Sequence, residues 1–275
     1  MRLPDSLEPQ NRRRSLASSD LLVADEFEAL HHLAPSGGND CRQFAIPIAG
    51  AFEYQVGSGR SWLDPSRLLF AEAGEEFTDH HPIPGLGHTS VILTPSPALL
   101  EELSRSLGAA YADRVRSCPL RIQMLVQILR RSEDPLARDE IGGEIILSCL
   151  GQSSRVAVTD TRCVRMAKSL LHAAAGERLS LQDIAAQLEV SPIYLTQAFK
   201  RAEGVPLYRF QTRLRLTRAL ADLPERDDIT DLALELGFSS HSHFTATFKS
   251  ALGVTPSDYR RGAMAASEAS ARLAA

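Results

Sequence analysis

The spacing of apolar and polar positions changes character along the chain. Between residues 21 and 95, short apolar runs are broken by Gly, Pro and Asp. Segments 42–48, 51–56, 61–63, 67–70, 76–80 and 89–93 read as strands. Ala49-Gly50, Gly57-Ser58-Gly59, Asp64-Pro65 and Ala73-Gly74 read as turns. Many short strands at regular spacing predict a small β-barrel or jelly roll. From Pro97 the apolar period becomes helical. Leu99, Leu100, Leu103 and Leu107 form a first stripe, Ile122, Leu125, Val126 and Leu129 a second, and Ile141, Ile145, Ile146 and Cys149 a third. Gly142-Gly143 weakens the third helix and marks either a close helix approach or a break. The polar segment 152–159 reads as a linker. Asp160 is placed to cap a helix over 161–175, with Val164, Ala167, Leu170 and Leu171 inward.

The C-terminal hundred residues contain one pattern twice. The helical run Asp231-Leu232-Ala233-Leu234-Glu235-Leu236 stops at Gly237, a natural residue for a helix end. Ser239 or Ser240 caps the next helix, whose stripe is Phe244, Phe248 and Leu252. Gly253 ends it and Pro256 opens a short one. Ile184, Ala185 and Leu188 precede Leu232, Ala233 and Leu236 by 48 positions. Phe199-Lys200 and Gly204-Val205 precede Phe248-Lys249 and Gly253-Val254 by 49, so the one-residue slip falls in the turn. Such a repeat means two copies of one unit, here helix-turn-helix. Between the copies, 206–223 reads as one amphipathic helix, with Leu207, Phe210, Leu214, Thr217 and Leu220 inward and Arg209, Arg213 and Arg218 outward.

These residues resemble the AraC/XylS type of bacterial transcription regulator. Gly237-Phe238, Ser240, Phe244, Phe248-Lys249, Gly253, Thr255-Pro256 and Tyr259-Arg260 match the family's second-repeat signature, and the likeness covers roughly 160–262. The resemblance implies two helix-turn-helix motifs, over 179–202 and 228–252, that enter successive major-groove faces of DNA. It implies an α+β chain: a cupin-like, small-molecule-sensing barrel at 21–95, and a helical segment at 96–151 that serves either as dimer contact or as packing on the barrel. It also implies RNA polymerase as a further partner and leaves a homodimer open. Outward positions of the recognition helices are Pro192, Ile193, Thr196, Gln197 and Lys200, with Arg201 beyond them, and His241, Ser242, Thr245, Ala246 and Lys249. Gln197 suits an adenine edge, and Ile193 or Thr196 a thymine methyl. Gln197 and Ala246 stand where the family often has Arg.

Charge refines this picture. The net charge is −4. Residues 1–159 carry 15 Arg against 21 acidic groups, whereas 160–262 carry 14 cations against 12, a net of +2. So weak a positive field makes DNA affinity depend on where the cations sit. Two of the three lysines, Lys200 and Lys249, share one slot in the repeats. Residues 1–20, with Arg12-Arg13-Arg14, read as a mobile tail, and 263–275 as another. The four cysteines are scattered, as in a cytoplasmic protein with reduced thiols, and no apolar stretch approaches the ~20 residues of a membrane span. No signal peptide is visible, so a cytoplasmic location is expected.

His31, His32, Cys41, His80, His81 and His88 are the metal candidates in the barrel. Neighbouring residues on a strand face opposite ways, so one His of each adjacent pair plus Cys41 or His88 is the set left open; no cofactor is expected. The motifs of common enzyme classes are absent, and a non-enzyme is expected. A metal enzyme fused to a DNA-binding domain and a protein–protein adaptor are the alternatives.

Overall fold

Strand alternation decides the first half. The computed structural model describes residues 11–30, 36–107, 114–152, 161–174, 176 and 179–263. Its strands are β1 (Arg12–Ser18), β2 (Leu22–Ala29), β3 (Ser36–Gly38), β4 (Gln43–Gly50), β5 (Phe52–Val56), β6 (Gly59–Leu63), β7 (Arg67–Ala71), β8 (Glu76–His80), β9 (His88–Pro95) and β10 (Val115–Ser117). They form two antiparallel sheets, ordered β1-β2-β9-β4-β7-β10 and β3-β8-β5-β6. All six strands expected between 42 and 93 are present.

The larger sheet is apolar on both faces, because alternate residues along each strand face opposite ways. Leu22, Ala24, Phe44, Ile46, Leu68, Phe70, Val91 and Leu93 face outward into one core. Ala45, Leu69 and Ile92 face the smaller sheet and meet Phe52, Tyr54, Leu63 and Phe77. The helices α1 (Pro97–Leu107), α2 (Leu120–Arg131) and α3 (Pro135–Leu150) follow, and α2 and α3 cover the outer face. Ile122, Leu125, Val126, Leu129, Ile145, Ile146 and Cys149 are buried in that same core. The stripes of α2 and α3 are therefore packed within the chain. Asp134 caps α3 by accepting from the Ala137 amide at 2.8 Å. A Cβ at Gly142 would lie 2.6 Å from Leu22 Cδ2, so this glycine marks a close approach of α3 to β2 rather than a break.

The N-terminal boundary needs correction. Residues 12–18 are a strand rather than a tail. Leu16 and Ala17 are buried, and Arg13 and Arg14 pair with Asp25 and Glu26 across β2 at 2.7 and 2.5 Å. The arginine run concealed the strand because opposite charges lie directly across it. The barrel also takes in β10, beyond the expected limit at 95. Residues 1–10, the linker segment 153–159, Asp160 and residues 264–275 lie outside the described residues. Thr161, rather than Asp160, is the cap of α4.

The second half is helical: α4 (Arg162–Ala173), α5 (Leu181–Gln187), α6 (Pro192–Glu203), α7 (Leu207–Asp222), α8 (Ile229–Glu235) and α9 (His241–Leu252), then 256–263. It holds two cores, one per repeat. Leu195, Phe199 and Phe210 centre the first, and Phe238, Phe244 and Phe248 the second. Helix α7 contributes to both. Among the described residues no helix is long and apolar enough to cross a membrane.

Gly50 joins β4 to β5 at φ +72°, and a Cβ there would fall 2.0 Å from the Gly87 carbonyl oxygen. Gly57 has φ +55° with open space around it. Gly50→Ala is expected to cost more than about 2 kcal/mol in denaturant melts. Gly57→Ala should cost only about 1 kcal/mol, the left-handed backbone penalty.

Candidate nucleic-acid interface

Each repeat closes its turn in the same way. After α5, the Glu189 amide donates to Ala186 O at 3.1 Å and the Val190 amide to Ala185 O at 3.0 Å. After α8, Gly237 donates to Leu234 O at 2.9 Å and Phe238 to Ala233 O at 3.0 Å. This is a Schellman turn, which needs a left-handed residue. Gly237 supplies it at φ 79°, and Glu189 adopts it at φ 54°. Ser191 and Ser240 then cap α6 and α9, each accepting an amide three residues on at 3.1 Å. The second turn holds one residue more, where the repeat register slips.

The caps fix which faces of α6 and α9 look out. Leu195, Ala198 and Phe199 are buried, as are Phe244 and Phe248. Pro192, Ile193, Gln197, Lys200 and Arg201 are exposed, and so are His241, Ser242, Ala246 and Lys249; Thr196 is half-buried. Ile193 is 72% exposed, unusual for an isoleucine and unexplained by any contact within the fold. Thr245 differs from expectation, because its hydroxyl is buried without a hydrogen-bond partner. On α7, Arg209 is exposed and bonds the Tyr208 hydroxyl at 3.1 Å. Arg213 does not face out. Its Nε and Nη2 are buried, close enough to Cys118 to work against the burial that pushes that thiol up to about 11. Helix α7 packs on α2, and this turns Arg213 into the seam.

Lys200, Arg201 and Lys249 make no ion pair among the described residues, whereas most N-terminal arginines do, as Arg12, Arg13, Arg14, Arg42, Arg60 and Arg67 illustrate. Exposed cations without acidic neighbours are available to phosphate. Tyr194, also exposed on α6, was not singled out from the sequence; an aromatic at that helical position breaks the apolar stripe and was the signal.

The first recognition helix is anchored at its far end. Glu203, the last residue of α6, pairs with Arg67 of β7 at 2.6 Å and contacts Lys168 of α4. Lys168 is wholly buried, about 5.8 Å from the rings of Trp62 and Phe210. Beside it, Asp64 accepts from Trp62 Nε1 at 2.9 Å and from the Ser66 amide at 2.8 Å, and His172 Nε2 lies 3.5 Å away. Burial disfavours the Asp64 charge, but His172, Lys168 and Arg67 outweigh it and hold the carboxyl well below its usual range. Burial likewise pushes Glu203 up, and Lys168 and Arg67 work against it. The five side chains come from the barrel, α4 and α6. None was singled out as part of a site, Asp64 being read only as a turn residue, although Lys168 and His172 fall on the buried stripe of Val164 and Leu171, where a cation needs a buried partner.

Helix α2 braces the same seam. Gln123 Nε2 donates to Pro47 O at 2.8 Å and Pro65 O at 2.9 Å. Arg131 donates to Ala221 O of α7 at 2.8 Å, and Leu120 and Met124 pack on the second repeat's core. A cleft of about 350 Å³ remains between the barrel and α7.

Of the described histidines, only His81 and His88 meet. His80 bonds Gln55 at 2.9 Å, His81 bonds His88 at 2.9 Å, and Cys41 is exposed. His31 and His32 lie outside the described residues. Among the described residues no three His, Cys, Asp or Glu side chains are grouped to hold a metal ion.

Two capped helix pairs with outward recognition faces define a helix-turn-helix protein of the DNA-binding class. A family model described as a helix-turn-helix domain matches residues 184–262. The regulatory protein PocR of Salmonella typhimurium is 33% identical over 100 residues, 35% of this chain and 33% of PocR. The HTH-type transcriptional activator AarP of Providencia stuartii is 36% identical over 84 residues, 30% of this chain and 62% of AarP. The chain thus spans a third of PocR and under two thirds of AarP. A solved transcriptional regulator with an AraC-type DNA-binding domain, from Chromobacterium violaceum, is 33% identical, covering 37% of this chain and 91% of that one, at a TM-score of 0.35. Residues 184–262 thus carry a helix-turn-helix domain, and that part of the chain is similar to the corresponding part of these transcription regulators.

Removing the Glu203 charge leaves two buried cations with less compensation. Glu203→Gln is expected to destabilise the chain by about 3 kcal/mol in chemical denaturation. Asp64, with its carboxyl held low, contributes stability above its unfolded value of about 4 that is lost as pH falls through the folded value. Asp64→Asn should therefore flatten the acid limb of the stability curve, measured between pH 2 and 5.

Proposed function

We propose that the protein is a cytoplasmic, sequence-specific transcription regulator, and not an enzyme. Residues 161–263 bind double-stranded DNA, and the barrel with α2 and α3 senses a small molecule. The observation that carries this reading is the contrast between the two ends of α6. Its N-terminal turns present Ile193 and Gln197 to solvent, while its C-terminal residue is held in the buried ion cluster on the barrel. A change in the barrel that moves Asp64 or Arg67 thereby reaches a base-reading helix through one rigid element. A ligand shifts this arrangement only as far as it binds one docked state better than another.

Within this reading, Gln197 reads an adenine edge, and Ile193 and the Thr196 methyl meet thymine. Pro192 starts the helix at the groove. His241 and Ser242, with Ala246 beside them, face the neighbouring groove from α9. Lys200, Arg201, Arg209 and Lys249 grip phosphate. Arg213 and the Thr245 hydroxyl, both turned inward, are left out of the contact set.

DNA fragments selected from genomic DNA by the full chain provide the test. Gln197→Ala is expected to relax preference at one base position, a loss of about 1–3 kcal/mol in discrimination. Lys249→Ala should weaken all sites alike and reduce the slope of log affinity against log salt by about 1. Equal effects of both changes on every site would contradict the assignment.

A further inference from the structure

Between the two sheets lies a second cavity, of about 300 Å³. Its walls follow from register. Tyr54 pairs with Asp79 across β5 and β8, so Phe52 and Phe77, each two residues away, share their face. Phe27 pairs with Ser90 on the opposite sheet. Phe52, Tyr54, Phe77 and Phe27 thus enclose a space floored by Asp79 and Ser90, and all six line it.

The floor is unsatisfied. Asp79 is 4% exposed and Ser90 2%, yet among the described residues Asp79 Oδ1 and Ser90 Oγ have no hydrogen-bond partner. Leaving such groups unmet costs free energy unless something donates to them. Among the described residues no cation does so. His88 Nε2 lies 3.9 Å from Asp79 Oδ2, but burial, then His81, push His88 down to about 3, and its ring is stacked on Phe52 at 3.7 Å. The neighbouring guanidiniums are taken: Arg13 by Asp25 at 2.7 Å, and Arg114 by Glu75. The Tyr54 hydroxyl accepts from Asn39 at 2.9 Å, and burial pushes it up to about 12. Burial alone raises the Asp79 carboxyl to about 8.

We infer that this cavity binds an organic ammonium ion, its N–H groups donating to Asp79 and Ser90 and its carbon body lying among the four aromatic rings. The inference rests on the reading of the barrel as the sensing part and supplies its ligand class. A buried carboxylate with aromatic walls is the chemistry that selects an organic cation, through charge below and ring faces around it. An anion finds no free cation among the described lining residues. An uncharged ligand meets Asp79 only as a neutral acid and gains a hydrogen bond without the ion pair. When the ammonium enters, Asp79 gives up its proton to solvent and the pair becomes carboxylate and ammonium, with no covalent change.

Calorimetry on the full chain at pH 7 provides the test, using n-butylamine and 2-phenylethylamine against 2-phenylethanol and 3-phenylpropionate. The amines are expected to bind at least tenfold more tightly than the alcohol, and the carboxylate not at all. Binding should release protons, read as a heat that changes between phosphate and Tris buffers. Asp79→Asn should weaken the amines at least tenfold and abolish the release; if that variant fails to fold, Ser90→Ala should weaken them several-fold. Preference for the alcohol or the carboxylate, no amine binding at millimolar concentration, or unchanged amine binding in these variants would overturn the inference. Amine binding that leaves affinity for a selected DNA fragment unchanged would instead refute the sensing role and leave the ammonium site standing.

Discussion

The arrangement depends on one buried contact: a carboxylate at the end of the first recognition helix, held between an arginine from the barrel and a lysine from α4. Taking these charges out of water is expensive, and their mutual attraction offsets that cost only when geometry and partners are complete. Trp62 and Ser66 donate to Asp64, and His172 lies 3.5 Å from it, which supplies part of that compensation. Such a cluster adds little net stability over an apolar seam, but it tolerates few alternative registers. It therefore specifies how α6 sits on the barrel more than how firmly.

The two repeats are consequently unequal. The first is tied to the barrel through α4 and α6. The second touches the N-terminal half through α2, whose Leu120 and Met124 pack on its core. Helix α7 links them and turns Arg213 into the seam rather than toward solvent. The barrel thus meets the first repeat through a polar, geometry-sensitive contact, and the N-terminal half meets the second through an apolar, more forgiving one.

Much of this was legible in the chain. Six strands, the helical stripes and both helix-turn-helix units follow from period 2, period 3.6 and the capping serines, because those signals are local. The left-handed Glu189 was hidden, since a glutamate gives no sign that the turn forces it to positive φ. Strand β1 was hidden because its arginines are neutralised only by residues across the sheet. The ion cluster was hidden for the same reason, its members being up to 139 positions apart in the chain. Lys168 and His172 on an apolar stripe were its only local trace. Arg213 was misplaced because an amphipathic pattern cannot tell solvent from a polar seam. In the barrel, the histidine pairs drew attention to metal, while the groups left without partners are Asp79 and Ser90.

Hydrogen exchange on the full chain tests the central claim most directly, comparing wild type with Arg67→Met. If the cluster docks the first repeat, amides of α4 and α6 should exchange at least tenfold faster in the variant, while α8, α9 and the strands of the larger sheet keep their rates. Unchanged exchange in α4 and α6, or a uniform rise over all helices, would contradict it.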